Sequence, residues 1–132
     1  MPKTPVFFSH DGGVDDYLSI LLLMMMEDVD VLGIAVTEAD CYIEPAISAT
    51  RKILDLMGRH DVTVSRSTAR GVNPFPRVFR VSAYSIDLFP ILNANDTITT
   101  RLATEDAQHV IVDTLRKAPE PVTFLETGPL TT

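Results

Sequence analysis

Apolar positions along this chain alternate between short unbroken runs and longer stretches at helical spacing. Val6-Phe7-Phe8 reads as a buried strand that breaks at Gly12-Gly13, and a nearly all-apolar segment follows from Tyr17 to Met26. The helix predicted from Asp15 to Met26 carries Leu18, Ile20, Leu21, Leu22, Met24 and Met25 around most of its circumference, which predicts wide burial. Val29 to Val36 is rich in Val, Leu and Ile and fits a central parallel strand covered on both faces. Pro45 opens a second helix running to Gly58. Ala46, Ile47, Thr50, Ile53, Leu54 and Met57 form its inner face, while Arg51, Lys52 and Asp55 face water.

The second half of the chain is less periodic. Val62 to Ser65 reads as a short third strand, and Arg66 to Tyr84 as a long loop of the kind that covers a site. Tyr84 to Leu88 fits a short helical turn, and Asn93 to Thr100 an exposed polar segment. Thr104 caps a third long helix with the stripe Ala107, Val110, Ile111, Thr114 and Leu115, which Pro119 stops. Val122 to Leu125 is a fourth strand.

This order predicts an α/β fold: a Rossmann-like open, mostly parallel sheet with helices on both faces and right-handed crossovers. Strand order 3-2-1-4 would set the ends of strands one, two and four side by side and gather Asp11, Asp40 and Thr127 at one mouth. Residues 1–132 amount to one domain's worth of chain, stopping just past a strand, and are expected to be the N-terminal part of a single, truncated domain.

Composition narrows the function. Hydrophobic content of 45% supports a packed core, and a net charge of −7 without a basic stripe argues against a nucleic acid polymer as partner. The single Cys41 excludes an internal disulfide and fits a reducing compartment. The run Ile20 to Met26 falls far short of a bilayer span, so a soluble, cytoplasmic protein without a membrane partner is expected.

Candidate chemistry concentrates in the turn after the first strand, where Asp11, Asp15 and Asp16 stand beside Gly12 and Gly13. Carboxylates this crowded repel one another unless a cation sits among them, and hard oxygen ligands suit Ca²⁺ or Mg²⁺. Asp15 and Asp16 equally suit a helix start, where acids favour the macrodipole. That alternative leaves Asp11, between strand and glycines, unexplained.

The stretch Ser9-His10-Asp11-Gly12-Gly13-Val14-Asp15-Asp16 resembles the N-terminal signature of the nucleoside hydrolases, D-x-D-x-G/N-x-D-D. Thr37-Glu38-Ala39-Asp40-Cys41-Tyr42, Asn73-Pro74-Phe75-Pro76-Arg77 and Pro90-Ile91-Leu92-Asn93 resemble the purine-specific, inosine-adenosine-guanosine-preferring branch, and Thr127-Gly128-Pro129-Leu130-Thr131 the family's T-G-P-L-[ST]-N turn. The resemblance implies hydrolysis of the N-glycosidic bond of purine ribonucleosides to free base and ribose. It implies calcium held by Asp11, Asp16 and the carbonyl of Thr127, with Asp11 also the general base acting on a calcium-bound water. It further implies Asp15 on the ribose hydroxyls, Asp40 and Phe79 near the base, a small-molecule nucleoside as partner, and a homo-oligomer, dimer or tetramer. The chain departs from the pattern at Ser9, where the family has an aspartate, at Gly13, where the purine branch tends to have asparagine, and at Thr132, where asparagine is usual. The alternative is a truncated, catalytically inactive homologue that binds metal or nucleoside only. A metal-dependent phosphohydrolase ranks lower, because Ser9 stands where that class has its nucleophile.

Overall fold

The computed structural model describes residues 2–70 and 75–132. Asn73 and Pro74 of the Asn73–Arg77 motif, with Gly71, lie outside the described residues. Strands β1 (Thr4–His10), β2 (Val29–Glu38), β3 (Thr63–Arg70) and β4 (Thr123–Glu126) form one parallel sheet in the order β3-β2-β1-β4. That is the order expected from the sequence. The long helices are α1 (Val14–Met25) and α2 (Ile43–Leu56); the short α3 (Arg77–Arg80) and α4 (Ser82–Asp87) precede α5 (Ala107–Lys117). Among the described residues no helix is long and apolar enough to cross a membrane.

Alternation along β1 divides the core into two layers. Val6 and Phe8 join Ile34, Val36 and Val64 under Ile20 of α1 and Ile53 and Leu54 of α2. Phe7 and Ala35 point to the other face, against Ala107 and Ile111 of α5. Helices therefore cover both faces. The Phe7 ring lies over Gly33, where any Cβ would stand 2.8 Å from it, and the β1–β2 register shifts at the same level. Complete burial of Phe7 and Phe8 contributes about 1.5–3 kcal/mol for each ring.

α1 and α2 carry the chain from β1 to β2 and on to β3, whereas α5 crosses the opposite face and brings β4 to the free side of β1. The order of strands thus changes direction at β1. The carboxyl ends of β1 and β4 lie at this switch point, the place where open α/β sheets bind ligands.

Several expectations are corrected. Leu18, Leu22 and Met25 of α1 are 58%, 64% and 70% exposed, so only the side bearing Tyr17, Ile20 and Leu23 is buried. The segment from Arg66 is not all loop: β3 continues to Arg70, and α3 and α4 occupy Arg77–Arg80 and Ser82–Asp87. The last long helix starts at Ala107 with Asp106 as its N-cap rather than Thr104. Lys52 and Asp55 do not face open water. Lys52 Nζ donates to the Asp87 and Asn93 side chains at 2.8 Å each, and the Asp55 carboxylate accepts from the backbone N–H of Thr99 and Thr100 at 2.7 and 2.8 Å. Thr100 is consequently fully buried, not exposed.

Asp55 gives a pH dependence. Burial pushes its carboxyl up, but the hydrogen bonds from Thr100 and Thr99 outweigh that and hold its pKa down to about 2. A pKa lower in the folded than in the unfolded chain contributes stability above the unfolded value of about 3.9, and loses it as pH falls toward the folded one. Asp55→Asn should therefore cost about 1.5–3 kcal/mol at pH 6. The difference in melting temperature from the parent should shrink on acidification toward pH 3; melting curves that keep a constant separation would contradict the assignment.

Candidate active site

The chain leaves β1 through Ser9 and His10, both fully buried. Gly12 takes the turn at φ +79°, a left-handed conformation natural to glycine. Its N–H donates to His10 Nδ1 at 3.1 Å, which leaves His10 Nε2 to donate to Thr50 Oγ1, also at 3.1 Å. Burial lowers the His10 pKa to about 4 against the opposing pull of Asp16. The ring is therefore neutral at pH 7, and its 3.8 Å approach to Asp16 is not an ion pair. His10 ties the turn to α2 and shapes it. His109 is exposed on α5.

Asp16, at 1% exposure, occupies the third position of α1 and accepts the Gly13 N–H at 2.8 Å. Its other oxygen accepts from Thr127 Oγ1 at 2.5 Å. Asp16 thus serves the helix start and the site together. Asp11, at 8% exposure, accepts the backbone N–H of Asp40 at 3.3 Å. Burial, then the hydrogen bond to Asp16 and its charge, raise the Asp11 pKa to about 7.

Asp15 is exposed on the first turn of α1. A Cβ on Gly13 would stand 2.6, 3.2 and 3.5 Å from carboxylate oxygens of Asp15, Asp40 and Asp16, so these three acids surround the glycine. Asp40 has its carboxyl raised by burial and then by the charges of Asp16 and Asp15. It does not cap α2, whose N-cap is Tyr42. Thr127 follows β4, and its N–H donates to Ser9 O at 3.0 Å. The structure therefore brings Asp11, Asp15, Asp16, Asp40 and Thr127 to one mouth of the sheet.

Phe79 lies 58% exposed on α3. Its neighbour Arg80 fastens that helix to the second loop: Nε donates to Cys41 O at 3.3 Å, the guanidinium pairs with Glu38, and it lies 4.4 Å over the Tyr42 ring. Cys41 itself is buried beneath the turn, its thiol pushed up to about 12, chiefly by burial.

Glu126 was not singled out from the sequence. It is paired in register with Ser9 on the neighbouring strand, and its carboxylate accepts the Gly128 N–H at 2.9 Å. Burial raises its carboxyl, with the Gly128 N–H opposing. The available signal was an acid directly before the Thr127 turn.

The donor set suits a hard divalent cation. Among the described residues no Lys or Arg forms an ion pair with Asp11 or Asp16, and the nearby His10 is neutral. Two crowded acids facing a threonine turn would gain from a positive charge. Among the described residues, no group of three or more His, Cys, Asp or Glu side chains is set to hold a metal ion. The fit is to two carboxylates completed by other oxygens.

A sequence profile for the inosine-uridine preferring nucleoside hydrolases matches residues 6–132. An inosine-uridine preferring nucleoside hydrolase from Bacillus anthracis superposes with a TM-score of 0.94 at 46% identity, over 96% of this chain and 42% of that one. An inosine-guanosine nucleoside hydrolase superposes with a TM-score of 0.76 at 25% identity, over 97% and 40% of the two chains. The pyrimidine-specific ribonucleoside hydrolase RihA of Citrobacter koseri is 27% identical over 132 residues, 96% of this chain and 40% of RihA. The chain thus spans about two-fifths of the length of the relatives it matches, and those relatives differ in the bases their names specify. The match includes both the acid turn after β1 and the Thr127 turn after β4, and the chain belongs to the nucleoside hydrolase family.

Proposed function

We propose that this chain forms the calcium- and ribose-binding portion of a purine-preferring ribonucleoside hydrolase, which splits the N-glycosidic bond to free base and ribose. The observation that carries the reading is the meeting of Asp11, Asp16 and Thr127 beyond the ends of β1 and β4, with Asp40 bonded to Asp11 through its backbone. Asp11, Asp16 and the Thr127 carbonyl would hold calcium, which supplies a charge that lowers the pKa of water and fixes its direction of attack. Asp11 takes the proton from the attacking water. Asp15 accepts the ribose hydroxyls from the exposed start of α1, and the local negative charge stabilises oxocarbenium character as the base departs. Asp40 and Phe79 address the base, Phe79 by stacking.

The reading is tested by a cleavage assay on the longest natural form of the chain with saturating calcium and inosine, adenosine, guanosine and uridine. Purine cleavage supports it. Ser9, in place of an acid, favours the binding-only alternative, which takes over if calcium or nucleoside binds and nothing is cleaved. Asp40→Asn should shift the purine-to-pyrimidine ratio of kcat/KM by about 10-fold while changing turnover on the best substrate less. An unchanged ratio would remove Asp40 from base recognition.

A further inference from the structure

Resting on the hydrolase reading, we propose that Glu126 is a positioning residue of this site: with Ser9 it holds the Thr127–Gly128 turn against Asp11 and Asp16. Ser9 and Glu126 face each other in register across β1 and β4. Among the described residues the fully buried Ser9 hydroxyl has no hydrogen-bond partner. Beside it the half-buried Glu126 carboxylate accepts the Gly128 N–H at 2.9 Å. A Cβ on Gly128 would stand 3.0 Å from Asp11 Cβ and 3.1 Å from both Asp11 N and Glu126 Oε1. The turn is thus clamped between the two acids. Thr127 completes the clamp by donating its N–H to Ser9 O at 3.0 Å and its hydroxyl to Asp16 at 2.5 Å.

The role follows from these contacts. Glu126 needs no contact with substrate or metal, because it fixes the turn whose threonine addresses Asp16. An outer partner that orients a ligand-bearing segment matters to metal affinity and turnover, not to substrate affinity.

The experiment uses the longest natural form of the chain and measures calcium affinity by titration calorimetry, the melting transition, and kcat and KM. Glu126→Ala should weaken calcium binding and lower kcat by about 10–100-fold with KM little changed. Glu126→Gln keeps an acceptor for the Gly128 N–H and should recover most of both losses. Parental calcium affinity and kcat in a folded Glu126→Ala protein would overturn the proposal, as would a folded Glu126→Gln protein as impaired as Glu126→Ala. If Glu126→Ala does not fold, Glu126→Asp decides: its carboxylate, drawn back by one methylene from the Gly128 N–H, should weaken calcium binding by about threefold or more, and no weakening overturns the proposal. If the parent cleaves nothing, the hydrolase reading fails, while the calcium series still judges Glu126.

Discussion

Asp11→Asn, made in the longest natural form of this chain, should lower kcat on its best nucleoside toward the upper end of about 10²–10⁴-fold. The asparagine oxygen can still accept the Asp40 N–H that Asp11 now holds at 3.3 Å, so the turn should survive. An amide cannot take the proton from water, and it would bring no negative charge to the cation proposed to lie between it and Asp16. The same substitution should stabilise the metal-free fold. Asp11 has its pKa raised to about 7 by burial and then by Asp16. A folded value above the unfolded one of about 3.9 means that stability falls as pH rises between the two, because the native state resists losing the proton. In chelator at pH 8 the asparagine variant should therefore melt higher than the parent, and the difference should close near pH 4. Activity traded against stability in this way marks a functional site. Near-parental turnover would refute the base assignment. A lower melting temperature in chelator at pH 8 would refute the account of crowded acids.

How far the chain could be read in advance varied with the physics behind each feature. The strand order was legible because Val6–Phe8 is an unbroken apolar run and Val29–Val36 is apolar but for Asp30 and Gly33, as suits interior parallel strands. β3 was read short because its continuation, Arg66-Ser67-Thr68-Ala69-Arg70, has no apolar alternation; Ser65 and Ser67 are buried as small polar side chains instead. Helices α3 and α4 have four and six residues, too few to establish a period. For α1, periodicity gives the apolar circumference but not what covers it, so Leu18, Leu22 and Met25 were expected inside. Asp55 and Lys52 were expected in water because their partners are backbone groups and side chains more than thirty residues away in sequence.

The site divides along the same line. Asp11 and Asp16 could be singled out as candidates because acids beside a glycine turn after a strand are a local pattern. Their hydrogen bonds to Asp40 and Thr127 confirm only that the loops meet where the strand order said they would. Glu126 was missed because its significance lies in cross-strand register with Ser9, which no local pattern reveals. The buried link from Gly12 through His10 to Thr50 was likewise hidden, since it joins residues forty apart.

Gly12→Ala should produce the largest structural effect of any single methyl added to the turn. The backbone there has φ +79°, and an added Cβ would lie 2.5 Å from Cys41 Cβ, 2.8 Å from its sulfur and 3.0 Å from Ala46 Cβ. Left-handed backbone costs a non-glycine residue about 1–2 kcal/mol, and overpacking a closed core adds about 1–3 kcal/mol, so a loss of about 2–5 kcal/mol is expected. Relief of the clash by backbone movement would shift Asp11 on one side and Gly13, with its ring of acids, on the other. Calcium affinity should therefore fall together with stability. Cys41→Gly removes the nearest obstructing atoms while leaving the left-handed turn in place. The double variant Gly12→Ala/Cys41→Gly should then be less destabilised than the sum of the two single changes by about 1 kcal/mol or more in urea titrations. Additivity within about 0.5 kcal/mol would show that the two loops do not press on one another at this point, and that the turn's strain alone sets the cost.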